Sequence, residues 1–309
     1  MCILLIVSIL LLLNDNECRQ YRYDYKFLLE VDGWIKLHPV PATWEEARLK
    51  CQLEGAMLSS PHTINMQAVM KNTMKNTRAE LSGVFTGTHA RFSKGDFYSV
   101  DGIPLTKMAV SWMPMEPDNE GNIEECILML GNGTIADVNC NDVYPYICYR
   151  KRQNVAFTEC GTIDRDYIFD KRTGHCYKFH TVHRNWTRAF MTCSAEGAYL
   201  AIVNSETEAE VMRDLFATHP ANTIKYDTVL VGFHDWGERG TWTTVHGQTL
   251  EEAGYAKFEK GQPDAAPPGE YCGGMFRGAT LNDVWCHESL AFICEKTVDS
   301  LIEWDDYSI

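Results

Sequence analysis

Oxygen-bearing side chains gather around the last cysteines of the chain. Gln262-Pro263-Asp264 comes first, Glu270 stands two residues before Cys272, and Asn282-Asp283 precedes Cys286. Carboxylates and amide carbonyls clustered in this way suit a hard cation, because calcium takes six to eight oxygen ligands and needs loops rigid enough to hold them. A poorer set occurs earlier: Glu116-Pro117-Asp118, Glu124 two residues before Cys126, and Asp137 ahead of Cys140. There Ala136 stands where the later set has the amide of Asn282. Other chemistries find little support. The chain has no His-Glu-x-x-His and no Gly-x-Ser-x-Gly, and its ten histidines are scattered without metal-ligand spacing, so no enzyme is expected. Forty-two acids against 28 bases give a net charge of −14, and no local basic patch offsets it, which disfavours nucleic acid as a partner.

The elements that must position these groups come from a duplication. Cys51, Cys126, Cys140 and Cys148 are 75, 14 and 8 residues apart; Cys193, Cys272, Cys286 and Cys294 are 79, 14 and 8 apart. Trp44 lies seven residues before Cys51 and Trp186 seven before Cys193, and Glu54-Gly55-Ala56 recurs as Glu196-Gly197-Ala198. A length of 309 residues also suits two domains, each large enough for its own core. Residues Ile3 to Leu13 form an apolar run too short to span a membrane, and are expected to belong to a signal peptide. If cleavage removes Cys2 and Cys18, ten cysteines remain and can all pair, as a secreted chain favours. The expected organisation is a leader over 1–18, a first domain over 19–150, a linker over 151–159, a second domain over 160–296 and an acidic tail over 297–309. The linker begins in the basic stretch Arg150-Lys151-Arg152, expected to be exposed and open to proteolysis. The tail is expected to be solvated, with Trp304 and Tyr307 as its contact residues. Cys160 and Cys176 occur in the second half only, where a short hairpin is expected.

Local signals make the architecture α+β. Thr43-Trp44-Glu45-Glu46 is a capping box ahead of a helix that buries Trp44, Ala47 and Cys51 on one face. Asn185 caps the equivalent helix, with Trp186, Ala189, Phe190 and Cys193 at helical spacing. Another helix opens at Ser205, with Glu208 as its capping-box partner, and buries Ala209, Met212 and Phe216. Short β runs follow, such as Val229 to Phe233 and Leu290 to Cys294, between long loops rich in Gly, Pro and Asp.

Cysteines in this order, two early helices and acidic Pro-containing loops between the last three cysteines resemble the C-type lectin domain, present twice. The likeness covers about Trp34 to Tyr149 and Cys160 to Glu295. Ala42-Thr43-Trp44, Leu53-Glu54-Gly55-Ala56 and Val231-Gly232-Phe233-His234-Asp235-Trp236-Gly237 are similar to the tandem-domain lectins of moths and butterflies called immulectins. The resemblance implies the pairs Cys51 to Cys148, Cys126 to Cys140, Cys193 to Cys294 and Cys272 to Cys286, with Cys160 to Cys176 marking the family's long form. It also implies that Gln262, Asp264, Glu270, Asn282 and Asp283 hold calcium and bind sugar, with Pro263 in the cis form. Two adjacent sugar hydroxyls would complete the metal's shell while acids accept and amides donate hydrogen bonds to them.

The Gln-Pro-Asp order goes, in that family, with galactose-type sugars. Leu281 replaces the usual tryptophan, however, and the loop Ala265-Ala266-Pro267-Pro268-Gly269 lacks an aromatic for stacking. In the first domain Glu116, Asp118, Glu124 and Asp137 are weaker metal candidates, expected to bind calcium poorly. The family's auxiliary calcium site is expected to be depleted, because Ala265 and Tyr271 stand where acids would be. By resemblance the protein would be a secreted haemolymph pattern-recognition lectin. It would bind microbial glycans or lipopolysaccharide, and its partners would include haemocyte surfaces and proteins of the prophenoloxidase cascade. The alternative is a calcium-independent protein- or lipid-binding module on the same scaffold. Asn132-Gly133-Thr134 and Asn185-Trp186-Thr187 are glycosylation patterns, Asn132 being the better acceptor because Asn185 starts a helix.

Overall fold

A computed structural model describes residues 21–77, 81–92, 94–153, 156–237 and 239–301. The leader expected over 1–18 and the tail residues after Leu301, including Trp304 and Tyr307, lie outside the described residues. Two α+β units follow one another, each around an eight-stranded sheet. The first contains β1 (Lys26–Leu28), β2 (Gly33–Ala42), α1 (Trp44–Leu53), β3 (Met57–Leu58), α2 (Ile64–Lys75), β4 (Gly83–His89), β5 (Tyr98–Ser99), β6 (Glu124–Leu130), β7 (Ile135–Asn139) and β8 (Tyr144–Lys151). The second contains β9 (Ile168–Asp170), β10 (His175–Arg184), α3 (Trp186–Ala195), β11 (Tyr199–Leu200), α4 (Glu206–Ala217), β12 (Thr228–His234), β13 (Thr243–Thr244), α5 (Leu250–Ala253), β14 (Cys272–Phe276), β15 (Leu281–Val284) and β16 (Leu290–Lys296).

The strand orders β1-β2-β8-β4-β6-β7 and β9-β10-β16-β12-β14-β15 are the same path drawn twice. In each, a single parallel pair, β4 with β8 and β12 with β16, sits among antiparallel neighbours. Among the described residues five disulfides join Cys51 to Cys148, Cys126 to Cys140, Cys160 to Cys176, Cys193 to Cys294 and Cys272 to Cys286. That is the pairing implied by the resemblance. Among the described residues no helix is long and apolar enough to cross a membrane.

The early helices start where their caps place them. The Thr43 hydroxyl accepts from the Glu46 N–H at 3.4 Å and Glu46 Oε2 accepts from the Thr43 N–H at 3.2 Å. Asn185 Oδ1 accepts from the Arg188 N–H at 2.9 Å. Trp44, Ala47 and Cys51 are buried, as are Trp186, Ala189 and Cys193, while Phe190 lies at the margin with 37% of its surface exposed. Each tryptophan also satisfies its polar atom, Trp44 Nε1 donating to the Thr86 carbonyl at 2.8 Å and Trp186 Nε1 to the Val231 carbonyl at 2.9 Å.

Glu208 corrects the expected capping box. Ser205 Oγ accepts from the Glu208 N–H at 3.1 Å, but the Glu208 side chain turns inward. It accepts instead from the Asn204 N–H at 3.1 Å and the Tyr177 hydroxyl at 2.5 Å. Fully buried opposite Glu295, it has its carboxyl pushed up to about 7 by burial and by that neighbouring charge. The basic stretch has its expected exposure at Lys151 and Arg152, but its start belongs to a strand. Arg150 and Lys151 end β8 in register with Trp34 and Gly33, and the Arg150 guanidinium lies over the Tyr21 ring. The start of the tail is packed rather than solvated: Ser300 Oγ donates to the Gly197 carbonyl at 2.7 Å and Leu301 is buried.

The recurring Glu-Gly-Ala has a physical cause. Gly55 and Gly197 follow α1 and α3 with φ of 78° and 74°, a left-handed turn that glycine adopts without strain. A Cβ on Gly55 would also lie 2.7 Å from the Tyr21 hydroxyl oxygen. The preceding glutamates are buried anchors. Glu54 accepts from Tyr25 Oη at 2.6 Å and Lys36 Nζ at 2.8 Å, and meets His38 Nε2 at 3.1 Å. Glu196 repeats the set with Tyr167, Lys178 and His180 at 2.8, 2.8 and 3.1 Å. Burial works against ionisation of Glu54, yet the His38 and Lys36 side chains hold its carboxyl down to about 2.

Candidate functional site

In the second domain β14 and β15 pair Gly273 with Asp283 and Gly274 with Asn282, which brings the last acids beside the strand that begins at Cys272. The preceding loop is folded back onto them by its own backbone. Asp283 Oδ1 accepts from the Asp264 N–H at 3.2 Å and Oδ2 from the Ala265 N–H at 2.8 Å. The Ala266 N–H lies 3.3 Å from Asp264 Oδ1 and 3.2 Å from Glu270 Oε2. Three backbone donors therefore hold three carboxylates in place, with one oxygen from each of Asp264, Glu270 and Asp283 within 4.8 Å of the others. The Gln262–Pro263 peptide is cis.

Among the described residues no Lys, Arg or His pairs with these three carboxylates, so the arrangement concentrates negative charge. Burial, the hydrogen-bonded Asp264 carboxyl and the Asp283 charge push Glu270 up to about 7. The two amides differ in state. Gln262 Oε1 accepts from the Asp264 N–H at 3.0 Å, while Asn282 Oδ1 is buried with no hydrogen-bond partner. An unpaired buried carbonyl beside three clustered carboxylates fits an oxygen-seeking ion.

The first domain repeats the scaffold almost bond for bond. Asp137 accepts from the Asp118 N–H at 3.2 Å and the Asn119 N–H at 3.1 Å, and the Glu120 N–H lies 3.0 Å from Asp118 Oδ1 and 2.7 Å from Glu124 Oε2. Glu116, Asp118 and Asp137 bring oxygens within 4.8 Å of one another. Glu116–Pro117 is cis, Glu116 Oε2 is buried without a partner, and Glu124 is pushed up to about 7, chiefly by burial. Ala136 pairs with Leu128 on β6 and supplies no side-chain oxygen at the place of Asn282. Replacing Ala136→Asn is accordingly expected to raise calcium affinity of this domain by roughly tenfold, since one ligand oxygen is added to a scaffold already formed. Calcium titration of the full chain, in a background where Asp283→Asn silences the second domain, measures it; an unchanged affinity would show that another defect limits the site.

Two features around the second cluster are invisible in its acid spacing. The Arg239 guanidinium carbon sits 3.3 Å from the centroid of the Tyr271 ring, next to Glu270, and Nη1 lies 4.0 Å from Asp235 Oδ2. Asp235 in turn donates its N–H to the Tyr271 carbonyl at 2.9 Å. A protein cation thus lies on the Tyr271 ring, at one of the two positions where acids of an auxiliary site are expected to be missing. Trp236, 52% exposed, stacks on His234 at 4.5 Å between ring centroids. In the first domain Asn119 was likewise missed: its Oδ1 accepts from the Glu124 N–H at 3.3 Å. Of the glycosylation patterns, Asn132 is exposed in a turn, its Oδ1 accepting from the Thr134 N–H at 2.8 Å, whereas Asn185 caps α3.

Comparison with known proteins follows the duplication. Residues 40–150 and 182–296 each match the lectin C-type domain family. A hemolymph lipopolysaccharide-binding protein of Periplaneta americana is 36% identical over 122 residues, covering 38% of this chain and 48% of that protein. A hepatic lectin of Gallus gallus is 24% identical over 148 residues, covering 48% of this chain and 66% of the relative. The chain thus spans about half to two thirds of the length of these relatives. Among solved structures, the carbohydrate-recognition domain of the mouse scavenger receptor C-type lectin aligns at 24% identity and a TM-score of 0.38, covering 43% of this chain and 97% of that one.

Proposed function

The chain belongs to the lectin C-type domain family, and from that premise we propose that it is a secreted, calcium-dependent lectin for microbial surface glycans, lipopolysaccharide among them. The observation that carries the reading is the second-domain cluster: three carboxylates within 4.8 Å of one another beside the unpaired Asn282 Oδ1. Calcium, when bound, would supply the positive charge these oxygens lack and coordination positions for sugar hydroxyls. Asp264, Glu270 and Asp283 would accept hydrogen bonds from those hydroxyls, and Gln262 and Asn282 would donate to the sugar oxygens. Five disulfides support secretion, since such bonds persist in oxidising compartments. The lipopolysaccharide assignment rests on the cockroach relative.

The first domain favours a second reading for its own half. It lacks the amide, and Met115 and Ile123 beside its acids are 93% and 56% exposed, which suits calcium-independent contact with a protein or lipid surface. Binding that survives chelation would mark that mode.

Proton competition tests the calcium reading. Glu124 and Glu270 hold protons up to about 7 when no cation is present, and calcium must displace them. Apparent calcium affinity is expected to be level above about pH 7.5 and to fall as pH drops through 7. The slope approaches tenfold per pH unit for each proton displaced. Calorimetric titrations at pH 5.5, 6.5 and 7.5 would detect it; an affinity that does not change over that range contradicts calcium binding at these carboxylates.

A further inference from the structure

We infer that the two acid clusters open on one and the same face of the molecule, so that a single chain meets a laterally extended glycan surface with both domains at once. The choice of glycan surface as partner rests on the function proposed above, taken in its first reading for both domains; the shared face rests on the packing of α1 against α3.

Each of these helices marks the polarity of its domain. The Trp44 N–H donates to the Cys140 carbonyl at 3.1 Å and the Trp186 N–H to the Cys286 carbonyl at 3.2 Å. Cys140 and Cys286 close the strands that carry Asp137 and Asp283, and Glu124 pairs with Asn139 next to Cys140. Each helix therefore starts at the acid end of its domain. It finishes about 15 Å away, at ten residues of 1.5 Å each. At that far end lie the disulfide to β8 or β16, the Gly33 to Lys151 pair and the crossing from one domain to the next.

The two helices lie side by side and point the same way. At their starts, Arg188 Nη2 is 3.9 Å from Glu46 Oε1. At their ends, the segment 21–25 bridges them: Arg22 Nη1 donates to the Ala195 carbonyl at 2.8 Å while Tyr25 Oη donates to Glu54 at 2.6 Å. An antiparallel pair would set the start of one helix against the end of the other, which these contacts exclude. The same far end is knitted together by the Tyr23 N–H bond to the Leu301 carbonyl at 3.2 Å and by Ile163, which packs on the first domain's core beside Tyr21. Arg22 itself is buried and paired with Asp24 at 2.9 Å, so the bridge is an interior contact. With starts adjacent and ends fastened, both clusters are carried on the side opposite the chain crossing.

A surface bearing repeated saccharides fits this face better than two separate particles, because the second contact becomes intramolecular on one surface. Spin labels on the full chain test the geometry. Asn141 and His287 are exposed and each follows the cysteine at which its helix starts. Val143 and Ser289 provide a second exposed pair should the first disturb folding. Packed helices run about 8–10 Å apart. Labels at N141C/H287C or V143C/S289C should therefore give one narrow distance distribution below about 40 Å. Domains facing opposite ways would add roughly a domain diameter, ~35 Å. A distribution centred above 40 Å, or spread over tens of ångströms, overturns the shared face.

The partner is tested separately, with the monomeric full chain on sensor surfaces bearing sparse or dense lipopolysaccharide in calcium. Dissociation at least ~10-fold slower on the dense surface is expected, and density-independent dissociation overturns the two-domain contact. If no EDTA-reversible retention occurs at any density, the proposed function fails while the label distance still decides the geometry.

Discussion

Asp283→Asn is expected to lower calcium affinity of the second domain by at least ~100-fold and to abolish its calcium-dependent glycan binding. Asp283 is fully buried, and both its oxygens already accept from the Asp264 and Ala265 N–H groups. An asparagine keeps the shape but removes the charge, and it sets an amide donor against one of two backbone donors. The loop carrying Gln262, Asp264 and Glu270 then loses its anchor together with one of the cation's carboxylates. The core is not involved, so the melting temperature in EDTA should move by only a few degrees. Calorimetry on the full chain, with the first domain's weaker site as the internal background, reads the change; a loss under tenfold would mean that Asp283 is a scaffold residue only.

Trp186→Ala should be among the most damaging single truncations for stability, at about 3–5 kcal/mol. The indole is 2% exposed, and its Nε1 donates to the Val231 carbonyl at 2.9 Å. It packs edge-on to His234 and Trp236, at 5.8 and 5.0 Å between ring centroids. Truncation leaves a large cavity and an unpaired buried carbonyl, both of which add to the lost transfer energy. For a domain of about 130 residues this corresponds to a drop of roughly 11–18 °C in melting temperature, measurable by calorimetry in saturating calcium. Phe190→Ala, at the exposed margin of the same helix, should cost much less; equal losses would contradict the assignment of Trp186 as the core residue of this face.

Much of this architecture is legible in the chain because cysteine spacing and tryptophan position survive duplication. Trp44 and Trp186 could be placed in the core from helical spacing alone, and Thr43, Asn185 and Ser205 as caps from residue type. Three things were not legible. Glu208 has the spacing of a capping-box partner, yet it turns inward because the Tyr177 hydroxyl and the Asn204 N–H await it there. Arg150 to Arg152 has the composition of an open linker, and Lys151 and Arg152 are exposed as such, yet Arg150 and Lys151 pair with Trp34 and Gly33 and Arg150 covers the Tyr21 ring, partners that are more than a hundred residues away. The bridge from Arg22 to Ala195 joins residues 173 apart and carries no local pattern at all.

The candidate site divides in the same manner. Its acids could be listed from their distance to the cysteines, since strand register transmits that distance into space. What spacing cannot reveal is the backbone cradle, in which the N–H groups of residues 264–266 and 118–120 fix the carboxylates. Nor can it reveal Arg239, which reaches the Tyr271 ring from a different loop. A repeated Glu-Gly-Ala was visible as a repeat, but its meaning required the buried Tyr, Lys and His partners of Glu54 and Glu196.

The most direct test is retention of the folded full chain on immobilised galactose, mannose and lipopolysaccharide, in calcium and then in EDTA. Retention on at least one of the three, released by EDTA and absent in Asp283→Asn, is the predicted result. Passage through all three in calcium, or retention that EDTA leaves unchanged, would contradict a calcium-dependent lectin.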